Sequence, residues 1–547
     1  AAWHLDVVGG ASLDCLRLVP AEEVPVGAGQ VRVSMRAAGV NFRDVLMALG
    51  LYPEPALMGS EGAGVVVEVG PGVTGFSPGD RVFGSFRGAF GPVAVTDAVL
   101  LSRVPVGWSF AEAASVSTAF VTAFFGLRDV AGVRAGERLL VHAGAGGVGM
   151  AAIQLALLWG VEVFATASPV KWPVLRGLGL DDAHISSSRD TGFEAKFGVV
   201  DVVLNSLAGE FTDASLRMLG AGGRFVEMGK ADVRDGEELA VRGVAYSTFD
   251  LTRVGFDRVA QIQAEVVGLF GAGRLSLLPV RAWDVRDAVE AFRFMSQGRH
   301  VGKVVLTVPV GVSGSVLVTG GTGVLGALVA EHLVVGHGVS DLVLVSRRGP
   351  AAPGADGLCA RLEGLGARVR VVACDVSDRA AVAGLVDGIG DLSGVVHCAG
   401  VLQDGAFEGV TAGRVASGWA GKADAAVWLD EVTRGRDLAW FVMFSSAAAV
   451  FGSAGQAAYG SANAVLDGVV ARRRASGLPG LSVGWGLWAA LSRMTSHLDE
   501  RALARIGGTL SSELGLALFD EAVRSSWSHV VPVVMDLSGY RSGKAEV

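Results

Sequence analysis

The sequence predicts an α/β chain with a β-rich domain of barrel type and two dinucleotide-binding units in series. Three observations predict it. Val316–Gly326 reads V-L-V-T-G-G-T-G-V-L-G, an apolar strand that runs into glycines at 320, 321, 323 and 326 and on into the helix-like Ala327–Leu333. Arg138–Gly149 repeats the pattern as R-L-L-V-H-A-G-A-G-G-V-G, with glycines at 144, 146 and 149 and a helical continuation over Met150–Trp159. Ahead of both, short Val-rich runs alternate with Gly/Pro turns. Glycine suits a turn that must bend sharply and let the backbone approach a pyrophosphate, whose charge is met by amides at the helix N-terminus. One such fingerprint is weak evidence in a chain with 79 glycines. Two of them, each between a strand and a helix, imply two enzymes in one chain.

Length and composition agree. At about 150 residues per domain, the 547 residues make three or four compact units. Apolar residues are 51% and charged ones 18%, yet no run of eighteen apolar residues is free of charge or Gln, so no transmembrane helix is expected. Ala1–Gly10 has no start Met and no basic stretch before an apolar one, which suggests an excised piece of a cytoplasmic protein rather than a secreted one. A net charge of −8 excludes nucleic acid as the expected partner, since phosphate neutralisation needs a basic surface. Cys15, Cys359, Cys374 and Cys398 have neither disulfide density nor metal-site spacing, which suits a reducing compartment.

In chain order, Val31–Ala38 reads as a strand leading into G-V-N-F-R-D-V-L-M-A-L-G-L-Y-P at Gly39–Pro53. M-G-S-E-G-A-G-V-V at Met58–Val66 and G-P-G-V-T-G-F-S-P-G-D-R-V-F-G at Gly70–Gly84 continue the β-rich pattern. These residues resemble a medium-chain dehydrogenase/reductase with a GroES-like barrel domain. The zinc branch of that superfamily carries a His where Ser60 stands and a Cys cluster absent here, so the resemblance is to the zinc-free branch and implies no metal. It implies a substrate subdomain at about 1–115 and 275–309 and a Rossmann subdomain at about 116–274.

The glycine turn (Gly144, Gly146, Gly147, Val148, Gly149) is followed by a second strand at Val161–Ala165 and then A-T-A-S-P-V-K. An NAD site would place a carboxylate there for the ribose hydroxyl; Ser168 and Lys171 instead suit a 2′-phosphate, which points to NADPH, although a solvated surface Lys171 is the plain alternative. Asp201–Asn205 and Arg224–Lys230 read as further strands whose polar ends, Asn205 among them, lie at the ligand-binding edge of a parallel sheet. Gly298–Val308 matches the superfamily's last strand. N-F-R-D, H-A-G-A-G-G-V-G, L-N-S-L-A-G-E and E-M-G-K make residues 1–309 most similar to the enoyl reductases of multimodular polyketide and fatty acid synthases. The resemblance offers three candidates for the proton donor of enoyl reduction: Tyr52, Lys230 and Asp250. It further implies that Tyr52 selects the face of protonation.

After a link at 310–313, residues 314–540 resemble the catalytic half of a short-chain reductase, a second Rossmann unit. Gly320, Thr322, Gly323, Leu325 and Gly326 form its turn, and Asp341–Arg348 its second strand. Ser346, Arg347 and Arg348 end that strand with no acid, and guanidinium forks suit a phosphate, so the second cofactor is also read as NADPH. Asp375 and Val376 in A-C-D-V fall where the family binds adenine, and Ala399 and Gly400 in H-C-A-G where its glycine-rich wall flanks the nicotinamide. Glu513–Ala522 reads as a helix and Val530–Met535 as a closing strand.

Phe444–Asn463 reads F-S-S-A-A-A-V-F-G-S-A-G-Q-A-A-Y-G-S-A-N. It places Ser446 before Tyr459 and Asn463 four residues after it, with Lys422 upstream. Ordinary short-chain reductases have Lys after the Tyr and Asn upstream; the exchanged arrangement resembles ketoreductases of polyketide and fatty acid synthases. Ketone reduction leaves an alkoxide that must be protonated, and a phenol with pKa near 10 is a weak acid unless a cation lies beside it. Lys422 supplies that cation, Ser446 a hydrogen bond to the same oxygen, and Asn463 is expected to orient Lys422 or a water. The resemblance also makes Val401–Asp404 a stereochemical loop. Leu402 and Asp404 favour a D-3-hydroxy product, while Gln403 departs from the Leu-Asp-Asp pattern and Phe451 stands where the opposite type has Trp.

Together the resemblances imply the reductive part of a polyketide synthase module. It would use NADPH at two sites, and act on substrates carried by the phosphopantetheine arm of an acyl carrier protein, with no nucleic acid or membrane involved. Other domains of the synthase would be partners, including the cofactor-free structural half of the ketoreductase, which in this family precedes the enoyl reductase. The same pair from an animal-type fatty acid synthase is the alternative, as is one unit being a non-catalytic structural module.

Overall fold

The structure, a computed structural model, describes residues 2–52, 56–230, 232–400, 405, 409–489 and 508–534. It divides into two compact units, residues 1–308 and 309–547.

The first unit contains a six-stranded parallel sheet in the order Ile185–Ser187, Glu162–Ala167, Arg138–Val141, Val200–Asn205, Leu219–Glu227 and Ala245–Thr248. Chain order reverses on either side of Arg138–Val141, and that switch opens the crevice in which doubly wound sheets hold ligands. Leu139, Leu140 and Val141 are fully buried, as expected of a central strand covered by helices on both faces. The helix after the glycine turn, Gly147–Leu158, is apolar on nearly all sides because it too lies in the core. The continuous helical run Phe110–Val130 is long and apolar enough to cross a membrane, but 72% of its most apolar window is buried inside this unit, and core packing accounts for its composition.

The β-rich part corrects the expectation of a barrel. Among the described residues its ladder runs Val280–Asp284, Lys303–Thr307, Gln30–Val40, Glu61–Val69, Arg81–Ser85 and Leu101–Arg103, and the end strands do not pair. The cause lies in the long strand Gln30–Val40, whose one edge is divided between two partners. Lys303–Thr307 pairs along Ala37–Val40, and Val93–Asp97 along Gln30–Ser34. Register against Glu61–Val69 shifts between Met35 and Ala37, so the strand bends there and the sheet curls without closing.

The second unit is a seven-stranded parallel sheet in the order Arg368–Ala373, Asp341–Ser346, Ser315–Thr319, Leu392–His397, Trp440–Ser446, Leu481–Trp485 and His529–Val530. Its switch point lies between Ser315–Thr319 and Leu392–His397. The closing strand is shorter than the sequence pattern suggested, and Met535 lies outside the described residues. The helix Ser512–Arg524 packs on the first helix, Val324–His337, where Asp520 Oδ1 accepts hydrogen bonds from His332 and His337, each at 2.7 Å.

A second polar cluster is buried. Asp430, 1% exposed, accepts from Arg473 at 2.9 Å, Arg434 at 2.8 Å and Arg472 at 2.6 Å. The Arg473 guanidinium, also 1% exposed, lies 3.8 Å from the centroid of Phe441. Removing one partner of such a pair strands the other charge in a low dielectric. Asp430→Ala is therefore expected to destabilise the second unit by about 3–5 kcal/mol in urea unfolding; a loss under 1 kcal/mol would mean that water reaches Arg473.

Candidate active sites

In the first unit the sequence H-A-G-A-G-G-V-G turns from strand to helix through Ala143, at φ 50° the one non-glycine residue with positive φ among the described residues. The glycines are there for close approach. A Cβ on Gly147 would lie 2.6 Å from Lys303 Cδ, and one on Gly149 would run into the Ala143 carbonyl. Val148 follows in the first turn of the helix. Below the turn His142 is buried, with Nδ1 2.8 Å from Thr166 Oγ1 and Nε2 2.7 Å from Ser215 Oγ.

Past the second strand, the Ser168 hydroxyl is half-buried at the start of the short turn Pro169–Lys171. Lys171 is not the free cation that the spacing predicts, nor a solvated surface residue. Its Nζ donates to Gly298 O and His300 O, each at 2.6 Å, and burial with the nearby Arg189 charge lowers its pKa. Arg189 has no hydrogen bond or ion pair from its guanidinium among the described residues, and it was not recognised in the sequence because it follows the third strand, outside the motif window. Asn205 also departs from expectation. It is fully buried, its amide donating to Glu227 Oε2 at 2.6 Å and Leu207 O at 2.9 Å, so it shapes the crevice wall instead of presenting a free group. Burial raises the Glu227 carboxyl, against hydrogen bonds from Asn205 and Gly229 that lower it.

Three residues remote in sequence meet at one point. Tyr52 Oη donates to Asp250 Oδ2 at 3.3 Å, and Lys230 Nζ lies 3.3 Å from the same oxygen while donating to Phe249 O at 3.0 Å. Burial works to raise the Asp250 carboxyl, but hydrogen bonds from Thr252 and the Lys230 charge outweigh it and hold it below its usual range. Burial raises the Tyr52 phenol, with Arg43 pulling the other way. Close by is an ion pair that sequence reading missed: Lys303 Nζ to Glu61 Oε1 at 2.6 Å, both buried, with Asn41 Oδ1 accepting from the same ammonium at 2.7 Å and Thr118 N donating to Glu61 at 2.8 Å. The Ser60 hydroxyl accepts from Asn41 Nδ2 at 3.3 Å.

In the second unit Gly320, at φ 68°, sits so close to the facing strand end that a Cβ would lie 2.9 Å from Ala399 N; Gly400 in turn faces Lys422, with a Cβ there 3.3 Å from Nζ. Gly326 lies against the Gly320 carbonyl, and Gly323 caps the helix Val324–His337 that carries Leu325 and follows Thr322. Ser346 Oγ accepts from Gly349 N at 3.1 Å, and Arg347 and Arg348 are exposed at the strand end with no side-chain partner among the described residues. Asp375 Oδ1 accepts from the Ser377 hydroxyl at 2.7 Å and its amide at 3.0 Å; those bonds lower its pKa, and Arg347 contributes. Val376 beside it is buried.

Lys422 is in a π-helical turn, Ala420–Asp424, between the helices Ala412–Trp419 and Ala425–Thr433. Its Nζ donates to Phe444 O at 2.9 Å and lies 5.6 Å from the Tyr459 ring centroid. Asn463, fully buried, donates through Nδ2 to Tyr459 O at 2.8 Å, leaving Oδ1 buried without a partner. Ser446 Oγ accepts from Ala448 N at 3.3 Å, which leaves its own proton available. A recess of about 370 Å³ is lined by Ala448, Ser453, Gln456, Gly460, Ser461 and neighbouring glycines. Leu402 and Asp404 of the stereochemical loop lie outside the described residues.

These features fit dinucleotides with a 2′-phosphate. Each unit has a turn whose closest approaches fall on glycines, an arginine with no hydrogen bond or ion pair from its guanidinium among the described residues near the end of its second or third strand, and no carboxylate at the second strand's end.

Three family models match: the alcohol dehydrogenase GroES-like domain at 27–122, zinc-binding dehydrogenase at 178–306 and KR domain at 314–490. The pikromycin polyketide synthase component PikAII of Streptomyces venezuelae is 56% identical over 99% of this chain and 15% of its own length. Erythronolide synthase EryA2 of Saccharopolyspora erythraea is 53% identical over 98% of this chain and again 15% of its own. The chain thus spans about a seventh of these relatives. Among solved structures, the CurK enoyl reductase is 36% identical with a TM-score of 0.54, over 56% of this chain and 99% of that one. A mycobacterial protein, Rv1454c, solved in complex with NADPH, is 28% identical with a TM-score of 0.52, over 56% of this chain and all of that one.

Burial pushes His142 and His397 down to about 3, so both are neutral when folded. In the unfolded chain each titrates near 6.5, so below that pH the unfolded state binds more protons and stability is lost as pH falls. Each unit is expected to lose about 1.4 kcal/mol per pH unit from its histidine between roughly pH 6 and 4. Urea midpoints across that range should fall less steeply for His397→Asn in the second unit only; equal slopes would show the imidazole protonating in place.

Proposed function

The chain belongs to the enoyl reductase–ketoreductase segments of modular type I polyketide synthases, and from that premise we propose that it carries out two reductions with one NADPH site in each unit. The first unit reduces a trans-2-enoyl thioester to the saturated acyl chain. The second reduces a β-ketoacyl thioester to the β-hydroxyacyl form, of D configuration by the residues of its stereochemical loop. Both substrates would arrive on the phosphopantetheine arm of an acyl carrier protein, with other domains of a synthase, the ketoreductase structural half included, as partners. The observation that carries the reading is that Lys422, from a different segment, lies 5.6 Å from the Tyr459 ring and is held by Phe444 O, two residues before Ser446, while Asn463 bonds the Tyr459 carbonyl from the same helix.

When bound, NADPH supplies the hydride. The residues then handle oxygen and proton. In the second unit the Ser446 hydroxyl is free to donate to the carbonyl oxygen as negative charge develops, and Tyr459 gives that oxygen its proton. Lys422, held by Phe444 O on the Tyr459 side, favours the phenolate that remains. The unpartnered Asn463 Oδ1 is positioned to accept from Lys422 or a water that returns a proton. In the first unit hydride at the β-carbon leaves an enolate whose α-carbon needs a proton from one face; Asp250 gathers the two donors, Tyr52 and Lys230, on one oxygen.

Titration of the chain with NADPH, read by cofactor fluorescence, should give two sites; one site would favour the reading in which one unit is a structural module. Tyr459→Phe should lower β-ketoacyl reduction by roughly 10²–10⁴-fold while NADPH binding stays within twofold, because only the transferable proton is lost. Retained activity in that variant would overturn the assignment of Tyr459.

A further inference from the structure

Within N-F-R-D, Asn41 and Asp44 have evident parts in the fold and Arg43 does not. Asn41 and Asp44 form a capping box at the start of the helix Phe42–Ala48, and Asp44 also accepts from Gly59 N at 2.9 Å, so the backbone on either side of Arg43 is fixed. From that base the guanidinium carbon lies over the Tyr52 ring, 4.9 Å from its centroid. Its Nε is buried with no partner. A surface arginine would keep Nε in water; here desolvation is borne for the sake of the contact with Tyr52. The Tyr52 hydroxyl donates to Asp250 Oδ2, which Lys230 shares. The result is a row of alternating roles, Arg43, Tyr52, Asp250, Lys230.

We propose that Arg43 is a positioning residue for enoyl reduction: its guanidinium over the Tyr52 ring and the Asp250 carboxylate bonded to the hydroxyl together fix Tyr52 so that it protonates one face of the α-carbon. The inference rests on the enoyl reductase reading of the first unit. With hydride added at the β-carbon, the former double-bond electrons form the enolate. Its carbon lone pair takes the proton from Tyr52 Oη, the α C–H bond forms as the O–H bond breaks, and the electron pair left on oxygen makes a phenolate whose ring lies against the guanidinium. An opposite charge at that distance favours the phenolate, whereas Asp250 alone would disfavour it. Water can then reprotonate Tyr52. Without Arg43 the neighbouring donor, Lys230, competes from its own side and the configuration becomes mixed.

The test uses the whole chain with a 2-methyl-enoyl thioester and chiral analysis of the product. Arg43→Gln should lower kcat about tenfold or more, as expected when an acid loses its orienting partner, and shift the product ratio towards that of Tyr52→Val. KM for NADPH and the melting temperature should hold, and Arg43→Lys should recover part of the selectivity. The double variant Arg43→Gln/Tyr52→Val should match Tyr52→Val alone, because the two residues act as a unit. An unchanged product ratio in Arg43→Gln, or effects that add in the double variant, would overturn the role of Arg43 while leaving the enoyl reductase reading intact. Failure of the wild-type chain to reduce the thioester would overturn that reading and the inference with it.

Discussion

Both units depend on the same steric constraint, the absence of Cβ atoms where the first helix descends onto the strand that feeds it. In the first unit a Cβ on Gly149 would meet the carbonyl of Ala143 and, at 2.8 Å, the Cα of Gly144; in the second one on Gly326 would meet the carbonyl of Gly320 and, at 2.8 Å, the Cα of Gly321. These carbonyls accept the bonds that close the turns, from Gly146 N at 2.8 Å and Gly323 N at 2.9 Å. A side chain at either position would lift the helix and pull its N-terminal amides from the switch point. What binds at the crevice depends on that contact, since free amides and the helix dipole are the anion-binding elements there.

Around these turns charges are buried only in company. Lys303 is pressed under the first unit's turn, its side chain 2.6 Å from where a Gly147 Cβ would be, and its ammonium is shared by Glu61 and Asn41. Since Lys303 belongs to the β-rich sheet, its packing under Gly147 joins that sheet to the nucleotide turn at the point where Gly302 N bonds Ala145 O. Such pairs are seldom a net source of stability, because desolvation cancels most of the attraction. Their effect is to penalise any arrangement that leaves one partner alone, and that fixes how Lys303, Glu61 and Asn41 pack together.

Patterns that are local in sequence were legible, and contacts closed over long separations were not. The glycine turns, strand ends and the Lys422, Ser446, Tyr459, Asn463 set could be read because each turn or spacing carries its own chemistry. Lys171 was read as a phosphate ligand from spacing alone, but the carbonyls that occupy it, at Gly298 and His300, lie more than a hundred residues on. Asn205 is a similar case: Glu227, on the next strand, takes its amide. Arg43 stood inside a quoted motif with nothing in its neighbourhood to show that Tyr52 would fold back over it. The barrel failed on sheet closure, which depends on how one long strand divides its edge between two partners and leaves no mark in alternation of polar and apolar residues.

The displaced lysine of the second unit shows how a fold keeps an atom in place while its residue moves along the chain. A lysine on the tyrosine's own helix reaches the phenol by helical spacing; Lys422 comes from a different segment and must be delivered by packing. The π-turn at Ala420–Asp424 makes this possible, because the wider turn interrupts the bonding of a straight helix and rotates Lys422 inward, where it is 4% exposed. His397 Nε2 meets the carbonyl of Lys422 at 3.1 Å, and its Nδ1 lies 2.7 Å from Thr319 Oγ1, next to the glycine turn. A neutral imidazole can do both, donating to the carbonyl and accepting from the hydroxyl. The ammonium is then fixed by Phe444 O, two residues before Ser446 on the neighbouring strand. Two strand ends thus hold the backbone and the tip of one side chain, and the cation stays beside Tyr459 without sharing its helix.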